Sequence, residues 1–130
     1  MAQRPPPLWQ PVRQLPFVAA LIDDLSQAAE KQYQALRRAR DGTYDLDEYS
    51  LRQIVDVFSR ERDDLPVFDE QLQRWLALGL TEAQEDEIGR LGAQLDRLRE
   101  VVPSILDMAE ELKSKIIRDL SQRRRTHYSY

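Results

Sequence analysis

The sequence contains no cysteine and a single histidine, His127, which is the fourth residue from the end of the 130-residue chain. The absence of cysteine excludes disulfide bonds, thiolate metal sites and cysteine nucleophiles. One histidine is too few for a histidine-rich metal site. We also do not expect a histidine-based catalytic triad. We therefore expect no enzyme active site, no bound metal and no cofactor.

Long hydrophobic runs are also missing, because the longest unbroken apolar stretch, residues 17–22, has only six residues. A bilayer-spanning helix needs about 20. The charge near the start of the chain is not followed by the apolar segment of a secretory signal. We therefore expect a cytoplasmic protein with no membrane partner.

β-Branched residues are scarce: Val, Ile and Thr together number 16, whereas Leu, Ala, Gln, Glu and Arg make up 67 of the 130 residues. The second group consists of straight-chain and small residues that favour helices. A chain of this length forms one domain by the usual size relation. The composition therefore predicts a single all-α domain.

Five of the seven prolines fall within the first 16 residues, a spacing that disfavours a helix and favours an extended arm. Leu8 and Trp9 form an apolar pair on this arm. Three interpretations stay open: a disordered leader, an arm whose apolar pair lies against the bundle or a second subunit, and a ligand for a proline-binding domain. We divide the chain into an arm (residues 1–16), a helical bundle domain (17–122) and a flexible basic and aromatic tail (123–130).

Apolar residues at alternating steps of three and four predict three long helices. The first extends from about Phe17 to Arg40, and Gly42 follows as a left-handed cap residue. The second begins at Asp45 or Asp47, either of which is a plausible N-cap. It ends near Gly79.

Pro66 interrupts the second predicted helix, so we expect a kink or a break near Asp64 and Leu65. The acidic cluster around Pro66 (Glu61, Asp63, Asp64, Asp69 and Glu70) is then best interpreted as a solvated bend. In that interpretation Asp63 or Asp64 caps a helix that restarts at the proline. The alternative is a cluster that binds a cation or a basic partner.

The third helix has the clearest pattern. Thr81 and Gln84 form a capping-box sequence, and a heptad repeat of apolar residues follows over more than four repeats, as in a coiled coil. Pro103 falls beside this seam without changing its phase, so a kink is expected there and the helix continues to about Gln122. The seam positions are Ile88, Leu91, Leu95, Leu98, Val102, Ile105, Ala109, Leu112 and Ile116.

Charge supports packing of the three helices on each other, because residues 1–40 carry a net +3, residues 41–79 a net −6 and residues 80–130 a net −1. The fold predicted is an elongated antiparallel bundle of three long helices, kinked near Pro66 and Pro103, with a coiled-coil-like third helix. Before Pro103 its apolar stripe is narrow and flanked by Gly89 and Gly92, which suggests that another helix approaches closely.

After Pro103 the stripe widens through Leu106, Met108, Ile117 and Leu120. A wide apolar face needs more than one neighbour to cover it. This pattern predicts a homodimer in which these four residues, together with Leu8 and Trp9, form the contact with a partner.

Two patterns resemble metal sites but lack essential features. Residues 41–48 match the second half of an EF-hand calcium loop, yet the first ligand position would be Arg37, a cation where an oxygen is needed. Two carboxylate pairs, Glu82 with Glu85 and Asp107 with Glu110, resemble the paired acids of a magnesium site. They lie on one helix and are separated by roughly 37 Å at ~1.5 Å per residue.

The function predicted is a non-enzymatic protein–protein interaction module that self-associates: an adaptor, a scaffold or an accessory subunit. The alternative is a nucleic-acid-associated regulator that uses Arg123, Arg124 and Arg125 to contact phosphates. Three arginines neutralise few phosphates and the whole chain is acidic. Arginines are also favourable at a helix C-terminus without any ligand.

Overall fold

The computed structural model describes residues 9–42 and 45–127, except for the side chains of residues 125–127. A short 3-10 helix, Val12–Gln14, leads into three α-helices: α1 (Leu15–Arg40), α2 (Glu48–Leu76) and α3 (Glu82–His127). Within these described ranges there are no strands. The all-α prediction with three packed helices is confirmed.

The helix ends follow from local sequence. Pro16 lies in the first turn of α1, where its missing N–H costs nothing. Asp47 caps α2 by accepting a hydrogen bond from the main-chain N–H of Ser50 at 2.7 Å. Thr81 and Gln84 exchange hydrogen bonds of 3.0 and 3.2 Å, as the capping box predicts.

Gly42 follows α1 with a φ of 83°, which confirms the left-handed cap. Its main-chain N–H donates to the carbonyl of Ala39 at 3.2 Å. α1 itself begins at Leu15, two residues before the predicted start, because the 3-10 turn and Pro16 allow the helix to start within the proline-rich segment. The predicted arm therefore overlaps the beginning of the bundle.

Both internal prolines lie inside continuous helices, Pro66 in α2 and Pro103 in α3. The prediction that a new helix starts at Pro66, capped by Asp63 or Asp64, is therefore wrong. Leu65, next to the proline, is buried in the core. The apolar contacts of the helix on both sides of Pro66 outweigh the loss of one hydrogen bond.

The three helices alternate in direction. Ion pairs join Asp23 to Arg90 and Glu30 to Arg97. The second pair is seven residues further along both α1 and α3 than the first. These two helices are therefore parallel. The end of α2 lies beside the start of α1, because Gln71 contacts Gln10. α2 is therefore antiparallel to both, as predicted.

The core lies along α3, which packs against α1 and against α2 more closely than those two helices pack against each other. All nine heptad positions of α3 are buried except Ile116, which is half-buried. The core residues that α1 and α2 contribute are Val18, Ile22, Ala29, Leu36, Leu51, Ile54, Phe58, Leu65, Leu72 and Trp75. α3 is thus the central element, and the pair α1 and α2 is left open along one side.

Gly89 and Gly92 do not mark a close helix contact. A Cβ atom added at either position would meet nothing within 4 Å, and Gly89 is exposed. The narrow apolar stripe of this half of α3 arises because the flanking positions face solvent. The expectation of a closely approaching helix at these glycines is wrong.

Candidate interaction surfaces

The apolar residues that widen the stripe of α3 fall into two groups in the structure. Leu106 and Met108 are buried in the core of a single chain. Ile117 and Leu120 are each 49% exposed. The structure therefore does not bring the four predicted contact residues together on one surface, and only Ile117 and Leu120 face solvent.

Ile117 and Leu120 lie in the last part of α3, the longest of the three helices. It has 46 residues against 26 in α1 and 29 in α2, or roughly 70 Å against roughly 40 Å at ~1.5 Å per residue. A small cavity of about 170 Å³ is lined by Asp45, Leu46, Leu112 and Asp119, among others, so the loop before α2 lies beside this part of α3. We call residues 117–127 the α3 overhang.

The overhang is basic. It contains four arginines and one aspartate, and Arg118, Arg123 and Arg124 are exposed. The predicted tail begins inside it, because α3 extends five residues past Gln122 to His127. Arg123 and Arg124 therefore lie on a helix, where cations complement the dipole of the last turns. Arg125 is helical in its backbone, and its side chain is not among those described.

A second apolar surface is the open groove between α1 and α2, which we call the α1–α2 groove. It encloses about 490 Å³. Its α1 wall consists of Ala28, Lys31, Gln32 and Ala35. Its α2 wall consists of Leu46, Ser50, Gln53, Ile54, Val57 and Phe58.

The centre of the groove is apolar and its helices are far enough apart to expose it. Ile54 and Phe58 are buried at its base, and Val57 above them is 47% exposed. Ala28 and Ala35 on the opposite wall have side chains too short to cover Val57. Sequence analysis missed this groove, because each helix taken alone presents an ordinary amphipathic pattern.

The segment that forms the α2 side of the groove is acidic overall, although none of the described residues that line the groove is acidic and Lys31 on the α1 wall is basic. Residues 45–64 carry seven acidic and three basic side chains. Glu61 is one helical turn from Val57 on the same face, and it is half-buried. Burial raises the pKa of its carboxyl above the usual range, and the nearby charge of Asp64 raises it further. Burial and the charge of Asp64 thus both disfavour the ionised form of Glu61.

The described end of the N-terminal arm lies against α2 of the same chain. The main-chain N–H of Gln10 donates to Gln71 Oε1 at 2.6 Å, and the carbonyl of Gln10 accepts from Trp75 Nε1 at 2.8 Å. The guanidinium of Arg74 lies 4.2 Å from the centre of the Trp9 ring. Trp9 is thus half-buried on its own bundle, while Leu8 lies outside the described residues.

Sequence analysis singled out neither Trp75 nor Gln71. Gln71 is the one buried polar side chain among the described residues. Gln71 lies four residues before Trp75 on the same face of α2. This spacing predicts only weakly that the two side chains bind the main chain of another segment, since it occurs on any amphipathic helix.

Between α1 and α3 the surface is polar. Arg90 donates two hydrogen bonds to the carboxylate of Asp23, at 2.9 and 3.2 Å. These bonds lower the pKa of Asp23, and hydrogen bonds from Arg90 also lower the pKa of Glu87. Ser26 Oγ and Gln94 Oε1 in the same cleft are buried without a hydrogen-bond partner among the residues that the structure describes.

The predicted carboxylate pairs lie along one helix, α3, and all four side chains are exposed. In the calcium-like segment, Asp47 caps α2 and Glu48 pairs with Arg52 at 2.7 Å. Among the residues that the structure describes, no three Asp, Glu, His or Cys side chains come together as a group that could hold a metal ion.

The described part of the chain thus defines an all-α three-helix protein with two uncovered apolar surfaces, the α3 overhang and the α1–α2 groove. None of its described helices combines the length and apolarity that a bilayer crossing requires. No protein-family model, curated protein or solved structure matches this chain.

Proposed function

We propose that this protein is a non-enzymatic helical interaction module that self-associates as a homodimer and serves as an adaptor, scaffold or accessory subunit. The observation that carries the proposal is the half exposure of Ile117 and Leu120 on the α3 overhang. Three residues apart, they share one face of a helix. Neighbouring apolar side chains that are exposed to solvent are typical of an interaction surface.

Burial of this face supplies the free energy for association. Covering a large aliphatic side chain contributes about 1.5–3 kcal/mol when burial is complete, and both residues are already half covered. The two residues alone are therefore too few for a stable dimer, so a dimer must bury a second apolar surface. The α1–α2 groove, with Val57 at 47% exposure, is such a surface.

Light scattering coupled to size-exclusion chromatography tests the proposal. The wild-type chain should elute with twice its monomer mass of 15.3 kDa at concentrations above about 10 μM, given a micromolar dissociation constant. A constant monomer mass up to about 100 μM would refute self-association at this affinity. The module would then need a different protein as its partner.

The competing proposal is a nucleic-acid-associated regulator, for which the exposed Arg123 and Arg124 are the supporting observation. Binding of labelled nucleic acid at two salt concentrations separates the two functions, because phosphate contacts weaken steeply as salt rises. The interaction module predicts no binding at physiological salt. Salt-sensitive binding that Arg123→Gln and Arg124→Gln together abolish would favour the regulator.

A further inference from the structure

The α1–α2 groove has the size of a binding site for a short helix. Ala28 and Ala35 on one wall and Ser50 and Val57 on the other are each seven residues apart, or about 10 Å at ~1.5 Å per residue. This length corresponds to two helical turns. Grooves between helices commonly bind the apolar face of a further helix through residues at three- and four-residue spacing.

The apolar surface continues beyond the groove along α1. Phe17 and Leu21 are 61% and 41% exposed, and their spacing from Ala28 and Ala35 places all four on one face of the helix. This face of α1 is turned away from the buried seam of Val18 and Ile22. Phe17 and Leu21 lie at the end of α1 that is far from the α3 overhang, so the groove itself is the part within reach of a helix as short as residues 117–127.

The α3 overhang offers apolar side chains for the groove and has a net charge opposite to that of residues 45–64. Ile117 and Leu120 supply two exposed apolar side chains, 49% each. Four arginines and one aspartate give residues 117–127 a positive charge, whereas residues 45–64 carry seven acids and three bases. A docked overhang would bring arginines near this acidic segment, in which burial and the charge of Asp64 raise the pKa of Glu61.

The overhang and the groove also lie at the same end of the bundle. Leu46 lines both the groove and the small cavity beside Leu112 and Asp119, where the overhang begins. Two copies that meet at this end in opposite directions can each place an overhang in the partner's groove. Such an arrangement has twofold symmetry, and both contacts are formed by the same residues.

We propose that the α3 overhang of a second copy of this chain occupies the α1–α2 groove, reciprocally in the two subunits. Ile117 and Leu120 contact Val57 and the alanines of α1, and each groove gains a further helix beside the three that the structure describes. This inference rests on the proposed function, because it specifies how the homodimer forms.

Single cysteines test the pairing, since the chain has none of its own. Val57→Cys and Leu120→Cys variants are prepared separately, mixed and oxidised, and the disulfide-linked peptides are identified by mass spectrometry. A bond between these two positions can form only between chains in the mixture. The expected main product is the mixed disulfide of residue 57 with residue 120.

Leu78→Cys is the matched control, because Leu78 is 53% exposed but follows α2 at the opposite end of the bundle. Mixed with Leu120→Cys, it should give at least tenfold less disulfide than Val57→Cys. Equal yields from the two mixtures would overturn the pairing. A predominant bond between two copies of residue 57 would also overturn it, because the grooves would then face each other.

The wild-type mass by light scattering separates the two proposals. A dimer with the 57–120 bond supports both. A dimer without that bond retains self-association and refutes the reciprocal overhang. A monomer without the bond refutes both.

Discussion

The indole Nε1 of Trp75 donates a hydrogen bond of 2.8 Å to the main-chain carbonyl of Gln10, across 65 residues of sequence. With Gln71, which contacts both the N–H and the carbonyl of Gln10, it holds the chain against α2 just before Val12–Gln14 and α1 begin. Two side chains of α2 thus fix the direction in which the arm enters the bundle.

We expect Gln71→Leu to destabilise the protein by about 1–2 kcal/mol, since the variant loses the hydrogen bond that the main-chain N–H of Gln10 donates to Gln71 Oε1. Trypsin should then cleave faster after Arg13, which lies in the 3-10 helix that the contact anchors. The control is Gln73→Leu on the exposed face of the same helix, which should leave cleavage unchanged. Equal cleavage rates in both variants would show that Gln71 does not hold the arm.

Leu98 and Ile105 lie at the centre of the α3 seam and are almost fully buried. Leu98→Asp and Ile105→Asp should each cost several kcal/mol, comparable with the ~5–15 kcal/mol of total stability of a small domain. Thermal melts followed by circular dichroism measure this loss. Ala93→Asp, on the exposed face of α3, should change the melt little. Unchanged melts of the two seam variants would contradict the core assignment.

Gly89→Ala and Gly92→Ala should each stabilise the protein by up to about 1 kcal/mol, because alanine is the better helix former and the added Cβ meets no atom within 4 Å. The melting temperature should rise by about 4 °C per substitution. Gly42→Ala is the contrasting variant and should be destabilising, since its φ is 83°. A fall in melting temperature at residue 89 or 92 would indicate a close neighbour there.

The bridge from Arg90 to Asp23 and Glu87 predicts a pH dependence. Its hydrogen bonds lower the pKa of both carboxyls in the folded state. The stabilisation is therefore present above their unfolded-state pKa of about 4 and is lost as pH falls through the lowered folded-state pKa. Arg90→Met should melt below wild type at neutral pH, and the difference should vanish in strong acid.

Arg60→Met provides the control for this pH dependence, because it removes one exposed cation and so changes the net charge equally. Its difference from wild type should vary less with pH than that of Arg90→Met. Parallel pH profiles for the two variants would assign the effect to net charge and not to the bridge.

The sequence predicted the parts of the fold that depend on local chemistry. The heptads of α3, the Thr81–Gln84 capping box and the left-handed Gly42 each have a physical signature within a few residues. The continuity of α2 through Pro66 could not be predicted in this way, because it depends on packing of Leu65 against the rest of the core. A proline inside an apolar pattern is compatible with a break, a kink or an intact helix.

The candidate surfaces were predicted only in part, because exposure depends on where neighbouring helices end. Leu106 and Ile117 both lie on the flank of the α3 stripe, yet only Leu106 is covered. The ion pair of Glu30 with Arg97 places the end of α1 before the level of Ile117, where only the segment that begins α2 lies beside α3. The α1–α2 groove arises from the separation of two helices, which no single helix pattern encodes.

Sedimentation equilibrium of the wild type and of the double variant Ile117→Lys/Leu120→Lys tests self-association through the α3 overhang most directly. The wild type should fit a monomer–dimer equilibrium at micromolar concentration, and the double variant should be monomeric with its helicity kept. Leu76→Lys/Leu78→Lys, at the other end of the bundle and comparably exposed, should dimerise like the wild type. A monomeric wild type at ~100 μM, or an equally dimeric overhang variant, would contradict the account.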